Sequence, residues 1–266
     1  MAVKTARQAV QLARRLGRRK ARDAERRFVI EGITFVEEAL RSESALDCLV
    51  YTAKMLQHRK GWALLDLVRE RGVPAFLVDE RLYEDLTATE APQGVLAVAP
   101  QPAWRQSDLL QRSSSLLLAL DGLQDPGNLG TILRTGDGAG VDGVWLGQGT
   151  VDLYNPKVLR ATMGSVFRLP AFAGVDLTLL LPELKAEGMQ VVAAVPHAGQ
   201  SYFQANLKHP RLVLLIGNEA HGISRSLADL ADQAVSIPLR PEVESLNAAV
   251  AAALLIYEVR RQRLES

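Results

Sequence analysis

The sequence predicts an α/β protein of two domains, and three observations carry this prediction. With 266 residues the chain is longer than a usual single domain, and its 48% apolar residues can fill two cores. A polar stretch at residues 99–115, with two prolines and three consecutive serines, indicates a linker. Behind it, apolar runs alternate with helical patterns, which is typical of a mostly parallel sheet. We therefore assign residues 1–104 and 105–266 to separate domains.

The first domain is predicted to be a small α/β unit. Short apolar runs predict strands at residues 27–30, 47–52, 73–78 and 94–98. Amphipathic patterns predict helices at residues 32–41 and 61–71.

The second domain shows the same alternation over longer segments. Strands are predicted at residues 115–120, 143–147, 190–195, 212–216 and 234–237. Helices are predicted at residues 129–139, 156–163, 177–186 and 224–231, with a terminal helix over about 246–263. In a parallel sheet of this kind, ligands bind at the carboxyl ends of the strands.

Charge is distributed unevenly along the chain. The formal net charge is +1, yet residues 1–30 hold ten basic and two acidic side chains, which leaves the remainder at −7. A concentrated basic segment is typical of phosphate-backbone binding and predicts RNA or DNA as a partner. An Arg-rich solvated helix or tail without a partner is the alternative. We take six of these cations as candidate RNA ligands: Arg18, Arg19, Lys20, Arg22, Arg26 and Arg27.

Composition argues against several other classes. Cys48 is the only cysteine, so an internal disulfide framework and a thiolate zinc site are excluded. The longest apolar run, at residues 248–257, is shorter than the roughly 20 residues that cross a bilayer. No secretory signal, H-E-x-x-H or G-x-S-x-G pattern occurs. We expect a cytoplasmic protein without membrane or metal.

Three predicted strands end in polar, glycine-rich turns. The first turn is LDGLQDPGNLGTILRTG at residues 120–136, where glycines before a helix allow close approach to an anion. The second is LLIGNEAHGIS at residues 214–224, with Glu219 after a buried strand; His221 is more typical of a turn residue than of a base. The third, residues 235–261, has Ser245 where a helix N-cap is expected and Asn247 in the first turn.

Taken together and in this order, these segments resemble the SpoU/TrmH family of the SPOUT superfamily, which are ribose 2′-O-methyltransferases. The likeness covers residues 116–266. It rests on P-G-N-x-G-x-x-x-R, on G-x-E-x-x-G and on I-P followed by S-L-N, and on residues 155–170 between them. These motifs fall on Asn128, Arg134, Gly217, Glu219, Gly222, Ile237, Pro238, Ser245, Leu246 and Asn247, with Arg160 and Gly164 in the intervening segment. Residues 25–40 are similar to a substrate-binding domain of these enzymes that is related to a ribosomal-protein RNA-binding module.

The resemblance implies an S-adenosylmethionine-dependent enzyme with a C-terminal trefoil knot, acting as a homodimer on structured RNA, with ribosomal RNA favoured over transfer RNA. It implies catalytic roles for Asn128, Arg134, Glu219, Ser245 and Asn247. It implies cofactor contacts for Gly217, Ile237, Leu246, Val195 and Pro196, and an RNA contact for Arg160. Arg240-Pro241-Glu242 departs from the family pattern in a loop where a glycine is usual.

Two other functions remain open at this point. An RNA-binding homologue without catalysis would keep the fold but not the full set of motif residues. A nucleotide-dependent oxidoreductase would use the glycine-rich loop at residues 127–130 and would bind a nicotinamide nucleotide.

Overall fold

The computed structural model describes residues 3–87, 89 and 91–264. The chain forms two compact units. Unit 1 comprises Met1–Ala103 together with Tyr154–Phe167, and unit 2 comprises Trp104–Leu153 and Arg168–Ser266. The sequence prediction divides the chain between residues 104 and 105, and the two units divide between Ala103 and Trp104. The segment Tyr154–Phe167, which the sequence prediction gave to the second domain, packs with unit 1, where Tyr154 and Phe167 contact the ring of Phe28.

Unit 1 is built on a four-stranded mixed sheet. Its strands are β1 (Arg27–Glu31), β2 (Cys48–Tyr51), β3 (Ala75–Leu77) and β4 (Val95–Pro100). In the order β1-β4-β2-β3, β4 is antiparallel to both its neighbours and β3 is parallel to β2. The helices are α1 (Ala6–Leu16), α2 (Arg19–Glu25), α3 (Ile33–Arg41), α4 (Ala53–Leu56), α5 (Arg59–Glu70), α6 (Glu80–Glu84) and α9 (Pro156–Thr162), followed by a 3₁₀ turn (Ser165–Phe167).

The basic segment is helical and forms part of the core of unit 1. Ala9, Leu12 and Leu16 of α1 are buried against Cys48 and Leu96 of the sheet. Apolar residues three and four apart produce this buried face, while the arginines between them lie on the exposed face. Cys48 is fully buried, and this burial raises the pKa of its thiol to about 12, as expected for an inert core cysteine.

Unit 2 contains a six-stranded sheet in which every pairing is parallel. Its strands are β5 (Ser115–Leu120), β6 (Gly143–Gly147), β7 (Ala171–Val175), β8 (Gln190–Ala194), β9 (Arg211–Ile216) and β10 (Gln233–Val235). They lie in the order β10-β8-β9-β5-β6-β7. The helices are α7 (Gln106–Leu110), α8 (Pro126–Ala139), α10 (Leu177–Ala186), α11 (Arg225–Ala228) and α12 (Ala248–Leu264). The predicted α/β class with a mostly parallel sheet is confirmed.

Topology places the polar turns together. Because the sheet is parallel, the loops after β5, β8, β9 and β10 leave from one edge, and β9 lies between β8 and β5. Helix α8 begins in the loop after β5, where the Asp125 side chain accepts a hydrogen bond from the Asn128 N–H (2.7 Å) and Pro126 occupies the first turn. Helices α8 and α12 pack against each other. None of the described helices is long and apolar enough to span a bilayer.

Candidate active site

The loop after β9 has a backbone conformation that requires glycine at position 217. A Cβ atom built there would lie 2.2 Å from the carbonyl carbon of Gly222 and 2.3 Å from the nitrogen of Ile223. Asn218 and Gly222 exchange two backbone hydrogen bonds of 2.9 Å, which close the loop into a tight turn. The Asn218 amide also donates to the carbonyl of Gly122 (2.7 Å) and so ties this loop to the one after β5.

Three of the predicted catalytic residues form one hydrogen-bonded chain. The Asn128 amide donates to a Glu219 carboxylate oxygen (3.0 Å), and the Asn247 amide donates to the Asn128 side-chain oxygen (2.8 Å). Glu219 also accepts from the backbone N–H groups of Gln124 (3.2 Å) and Asp125 (3.1 Å). These hydrogen bonds therefore link the loops after β5 and β9 to the start of α12.

These donors set the charge state of Glu219. Partial desolvation by itself raises the pKa of the carboxyl group. The hydrogen bonds from Asn128 and from backbone N–H groups outweigh it, so the pKa lies below the ordinary 4.5. Glu219 is consequently a carboxylate at neutral pH and a weak proton acceptor.

Asn247, and not Ser245, caps helix α12. The Asn247 side-chain oxygen accepts from the backbone N–H groups of Ala249 (2.9 Å) and Val250 (3.2 Å), and the helix starts at Ala248. The expectation of an N-cap at Ser245 was therefore wrong by two residues. Ser245 is exposed, and its hydroxyl makes no hydrogen bond within the described part of the chain.

Replacing Asn247 should separate its two tasks. We expect Asn247→Ala to lower the free energy of unfolding by about 0.5–2 kcal/mol, since the cap is lost. Asn247→Asp should keep the cap, because Asp and Asn cap equally well, while it loses the donor to Asn128. Urea unfolding of the two variants and the parent checks this. Equal midpoints for Asn247→Ala and the parent would contradict the assignment of the cap.

A cavity of about 430 Å³ opens beside this network. All five residues predicted to bind the cofactor line it: Val195, Pro196, Gly217, Ile237 and Leu246. The loops after β8, β9 and β10 and the start of α12 supply them, so the predicted convergence of these residues is present in unit 2. Its volume falls within the roughly 300–1,000 Å³ of small-molecule sites.

The lining suits S-adenosylmethionine. The walls include apolar side chains, among them Ile223, Leu239 and Leu246, that can enclose an adenine ring. The backbone N–H groups of Ile237 and Leu246 have no hydrogen-bond partner in the described part of the chain, so they can donate to a ligand. Glu219 and Glu244 add negative charge, which favours the positive sulfonium.

Arg134 occupies a different position from the other predicted catalytic residues. It is exposed on α8, and among the described residues it has no hydrogen bond or ion pair and takes no part in lining the cavity. It lies six residues, about 9 Å along the helix axis, beyond Asn128.

The candidate RNA ligands divide into two groups. Arg18, Arg19, Lys20, Arg26 and Arg160 are exposed. The prediction that Arg22 contacts RNA was wrong, because this side chain is only 6% exposed. Its guanidinium donates to the carbonyls of Leu16 (2.8 Å) and Gly17 (3.0 Å) and so caps the end of α1. Arg27 is partly buried in an ion pair with Asp47 (2.6 Å).

Sequence reasoning missed three residues that shape the site. Asp125 sets the start of α8, and the dipeptide Asp125-Pro126 could have shown this, since Asp and Pro are favoured at the N-cap and first position. Asn218 builds the turn after β9 by accepting from the N–H groups of Ala220 (2.8 Å) and His221 (3.1 Å), a habit of Asn in turns. Leu239 lines the cavity, and no sequence signal indicated it.

Comparison with known proteins identifies the class. Residues 115–257 match the model of the SpoU rRNA Methylase family, and residues 7–97 match that of the MRM3-like substrate binding domain. The chain belongs to the SpoU rRNA Methylase family.

Relatives match over nearly the whole chain. The chain is 36% identical to the 23S rRNA (guanosine(2553)-2′-O)-methyltransferase RlmP of Bacillus subtilis, over 93% of this chain and 94% of that protein. Its structure is similar to the SpoU methyltransferase AviRb of Streptomyces viridochromogenes in complex with AdoMet (TM-score 0.85, 29% identity, 98% and 100% of the chains). It is also similar to an AdoMet-bound rRNA methyltransferase from Sinorhizobium meliloti (TM-score 0.82, 33% identity, 95% and 94%). The predicted enzyme class and cofactor are confirmed.

Proposed function

We propose that this protein transfers a methyl group from S-adenosylmethionine to a ribose 2′-hydroxyl of ribosomal RNA. The observation that carries the proposal is the cavity at the carboxyl edge of the sheet, where the loop of Gly217 and the network of Asn128, Glu219 and Asn247 adjoin. RlmP, named as a 23S rRNA 2′-O-methyltransferase, supports ribosomal RNA as the substrate. We also propose that the protein acts in the cytoplasm, because the similar Bacillus subtilis enzyme is named for a bacterial ribosomal RNA.

The bound cofactor supplies an electrophilic methyl group. The protein must then align the ribose oxygen and stabilise the charge that develops when the hydroxyl loses its proton. Arg134 is exposed and makes no ion pair or side-chain hydrogen bond with the described residues, so it can hold an RNA phosphate and stabilise the alkoxide. Ser245 faces the same cavity as the cofactor residues and can orient the ribose.

Glu219 acts as a positioning residue in this proposal. Each of its carboxylate oxygens already accepts from the protein, and its lowered pKa makes it a poor base at neutral pH. The proton therefore passes to solvent water.

The behaviour of Glu219 variants distinguishes these roles. Glu219→Gln keeps one oxygen for Asp125 and Asn128, so it should retain most turnover, whereas Glu219→Ala should lose most of it. In the parent, the hydrogen bonds of the carboxylate persist above its ordinary pKa and disappear as the pH falls through the lowered value. Cofactor affinity should therefore stay level from pH 8 down to the ordinary carboxyl pKa of 4.5 and fall below it. If Gln were as inactive as Ala and the rate rose through the acidic range, Glu219 would be the base instead.

RNA binding is assigned to the exposed face of α1 and α2. A groove there is lined by Arg14, Arg15, Arg18 and Lys20 above the small side chains of Ala21 and Ala24. Arg14 pairs with Asp85 and Arg15 with Glu25, both at the surface, where such pairs contribute little and can exchange for phosphate. Arg19 and Arg26 extend the basic surface, and Arg160 adds an exposed cation on α9.

A homodimer and a trefoil knot in unit 2 complete the proposal. Val250, Leu254 and Tyr257 form an exposed apolar stripe on α12, at the spacing of one helix face. A second copy can cover this stripe and bring the exposed Arg134 beside the cavity of its partner. Light scattering of the parent and of Leu254→Glu tests this: a dimer and a monomer are expected, and equal masses would reject it.

The direct test of the function is methylation of RNA. Purified protein with tritiated S-adenosylmethionine should label ribosomal RNA from cells that lack the protein, and alkaline hydrolysis should leave one resistant dinucleotide. Label in transfer RNA alone would show that the substrate is transfer RNA and not ribosomal RNA. Cofactor binding without label in any RNA would favour the non-catalytic homologue.

A further inference from the structure

Unit 1 carries a second basic surface, separate from α1 and α2, at the junction of α4 and α5. Residues 48–65 contain no acidic residue, and His58, Arg59 and Lys60 are all exposed. Among the described residues, Arg59 and Lys60 make no ion pair. The nearest acidic residue along α5, Asp66, is paired with Arg69 (3.7 Å) rather than with Arg59 or Lys60.

An aromatic ring lies among these cations. Trp62 is 50% exposed, whereas Trp145 is fully buried. Arg59 precedes Trp62 by three residues on α5, a spacing that brings side chains together on one helix face. The exposed half of the indole offers a flat aromatic face to a ligand beside these cations.

The backbone at this surface is closely packed. A Cβ atom on Gly61 would lie 2.0 Å from the carbonyl oxygen of the buried Met55, so only glycine allows α5 to start this close to α4. The Gly61 N–H donates to the carbonyl of His58 (2.9 Å), and no side chain of a described residue caps the helix. The free N–H groups of the first turn add to the positive potential of the junction.

We propose that the α4–α5 junction (His58, Arg59, Lys60 and Trp62) binds an unpaired segment of the substrate RNA, with one base stacked on Trp62. A base offers a flat face to the indole, and the flanking phosphates match Arg59 and Lys60. Paired RNA buries its base faces within the helix, so this surface selects single-stranded segments. The inference rests on the proposed function, because it takes RNA as the partner.

The test compares two RNA probes on the full chain: a short labelled oligoadenylate and a blunt RNA duplex of equal length. Trp62→Ala should weaken oligoadenylate binding roughly 5- to 100-fold and leave duplex binding unchanged. Trp62→Phe should retain most of the affinity, because it keeps a ring. Leu77→Ala, which alters another exposed apolar side chain of unit 1 (58% exposed), should change nothing. Lys60→Ala should reduce the salt dependence of binding by about 0.7 in log–log slope.

Three results would overturn the proposal: unchanged oligoadenylate affinity in Trp62→Ala, equal losses for both probes, or equal losses for Ala and Phe. Far-ultraviolet circular dichroism checks that each variant is folded, as expected for exposed positions. Methylation by Trp62→Ala should show a raised KM and an unchanged kcat. If the parent binds the probes but methylates no RNA, the proposed function is rejected. The binding data alone then decide whether a base stacks on Trp62.

Discussion

Replacing Arg134 with alanine should reduce kcat roughly 10²- to 10³-fold while leaving the affinity for S-adenosylmethionine nearly unchanged. Loss of one preorganised charge that stabilises a developing oxyanion costs about this much. The cofactor affinity should hold because Arg134 lies outside the lining of the cavity formed by the described residues. Folding should hold as well, since the side chain is exposed and no described residue bonds to it.

Arg134→Lys is the matched variant. Lysine keeps the positive charge but not the two-pronged geometry of the guanidinium, so an intermediate rate is expected. Single-turnover rates and calorimetric Kd values, measured on the same preparations, separate chemistry from binding. Near-normal methylation by Arg134→Ala would mean that the active site is assigned wrongly.

The strands of unit 2 were predictable because their sequences are continuous apolar runs. The predicted strands at residues 115–120 and 143–147 match β5 and β6 residue for residue. The edge strand β7 was missed because none of its residues is buried and it contains Gly174 at φ +72°, so it shows no buried pattern. Edge strands of this kind are defined by their neighbour rather than by their own residues.

Charge patterns showed which residues are basic but not which are buried. Arg22 was grouped with its neighbours because all are cationic, yet the turn after α1 buries it against two carbonyl oxygens. The same limit applies to the segment Tyr154–Phe167. Its packing with unit 1 depends on rings distant in sequence, such as Phe28 and Phe35, which no local pattern reports.

The site was predictable in part. Strand ends at one edge of a parallel sheet brought Asn128, Glu219 and Asn247 together, as the motif order implied. Their hydrogen-bonded network was not predictable, since it requires the Asn128 side chain to donate to Glu219 and to accept from Asn247 at the same time. This hydrogen-bonded network is the reason that we propose a positioning role for Glu219.

Gly217→Ala should lower the affinity for S-adenosylmethionine at least about tenfold, a change of ~1.4 kcal/mol. The added methyl group would meet the backbone of Gly222 and Ile223 at 2.2–2.3 Å, and no flexible side chain can move aside. The turn from Asn218 to Gly222 must open, and overpacking of this kind typically costs about 1–3 kcal/mol of stability. The same turn forms a wall of the cavity, so binding and stability should fall together.

Gly138→Ala is the control for this prediction. Gly138 lies within α8 and has an ordinary negative φ, and a Cβ atom added to it would have open space for 4 Å around it. Alanine there should raise the free energy of unfolding by about 0.5–1 kcal/mol and leave cofactor binding unchanged. Calorimetry and thermal unfolding of both variants decide the matter. The turn after β9 cannot accept a Cβ atom without moving. If Gly217→Ala nevertheless binds the cofactor as the parent does, cofactor binding does not depend on that turn.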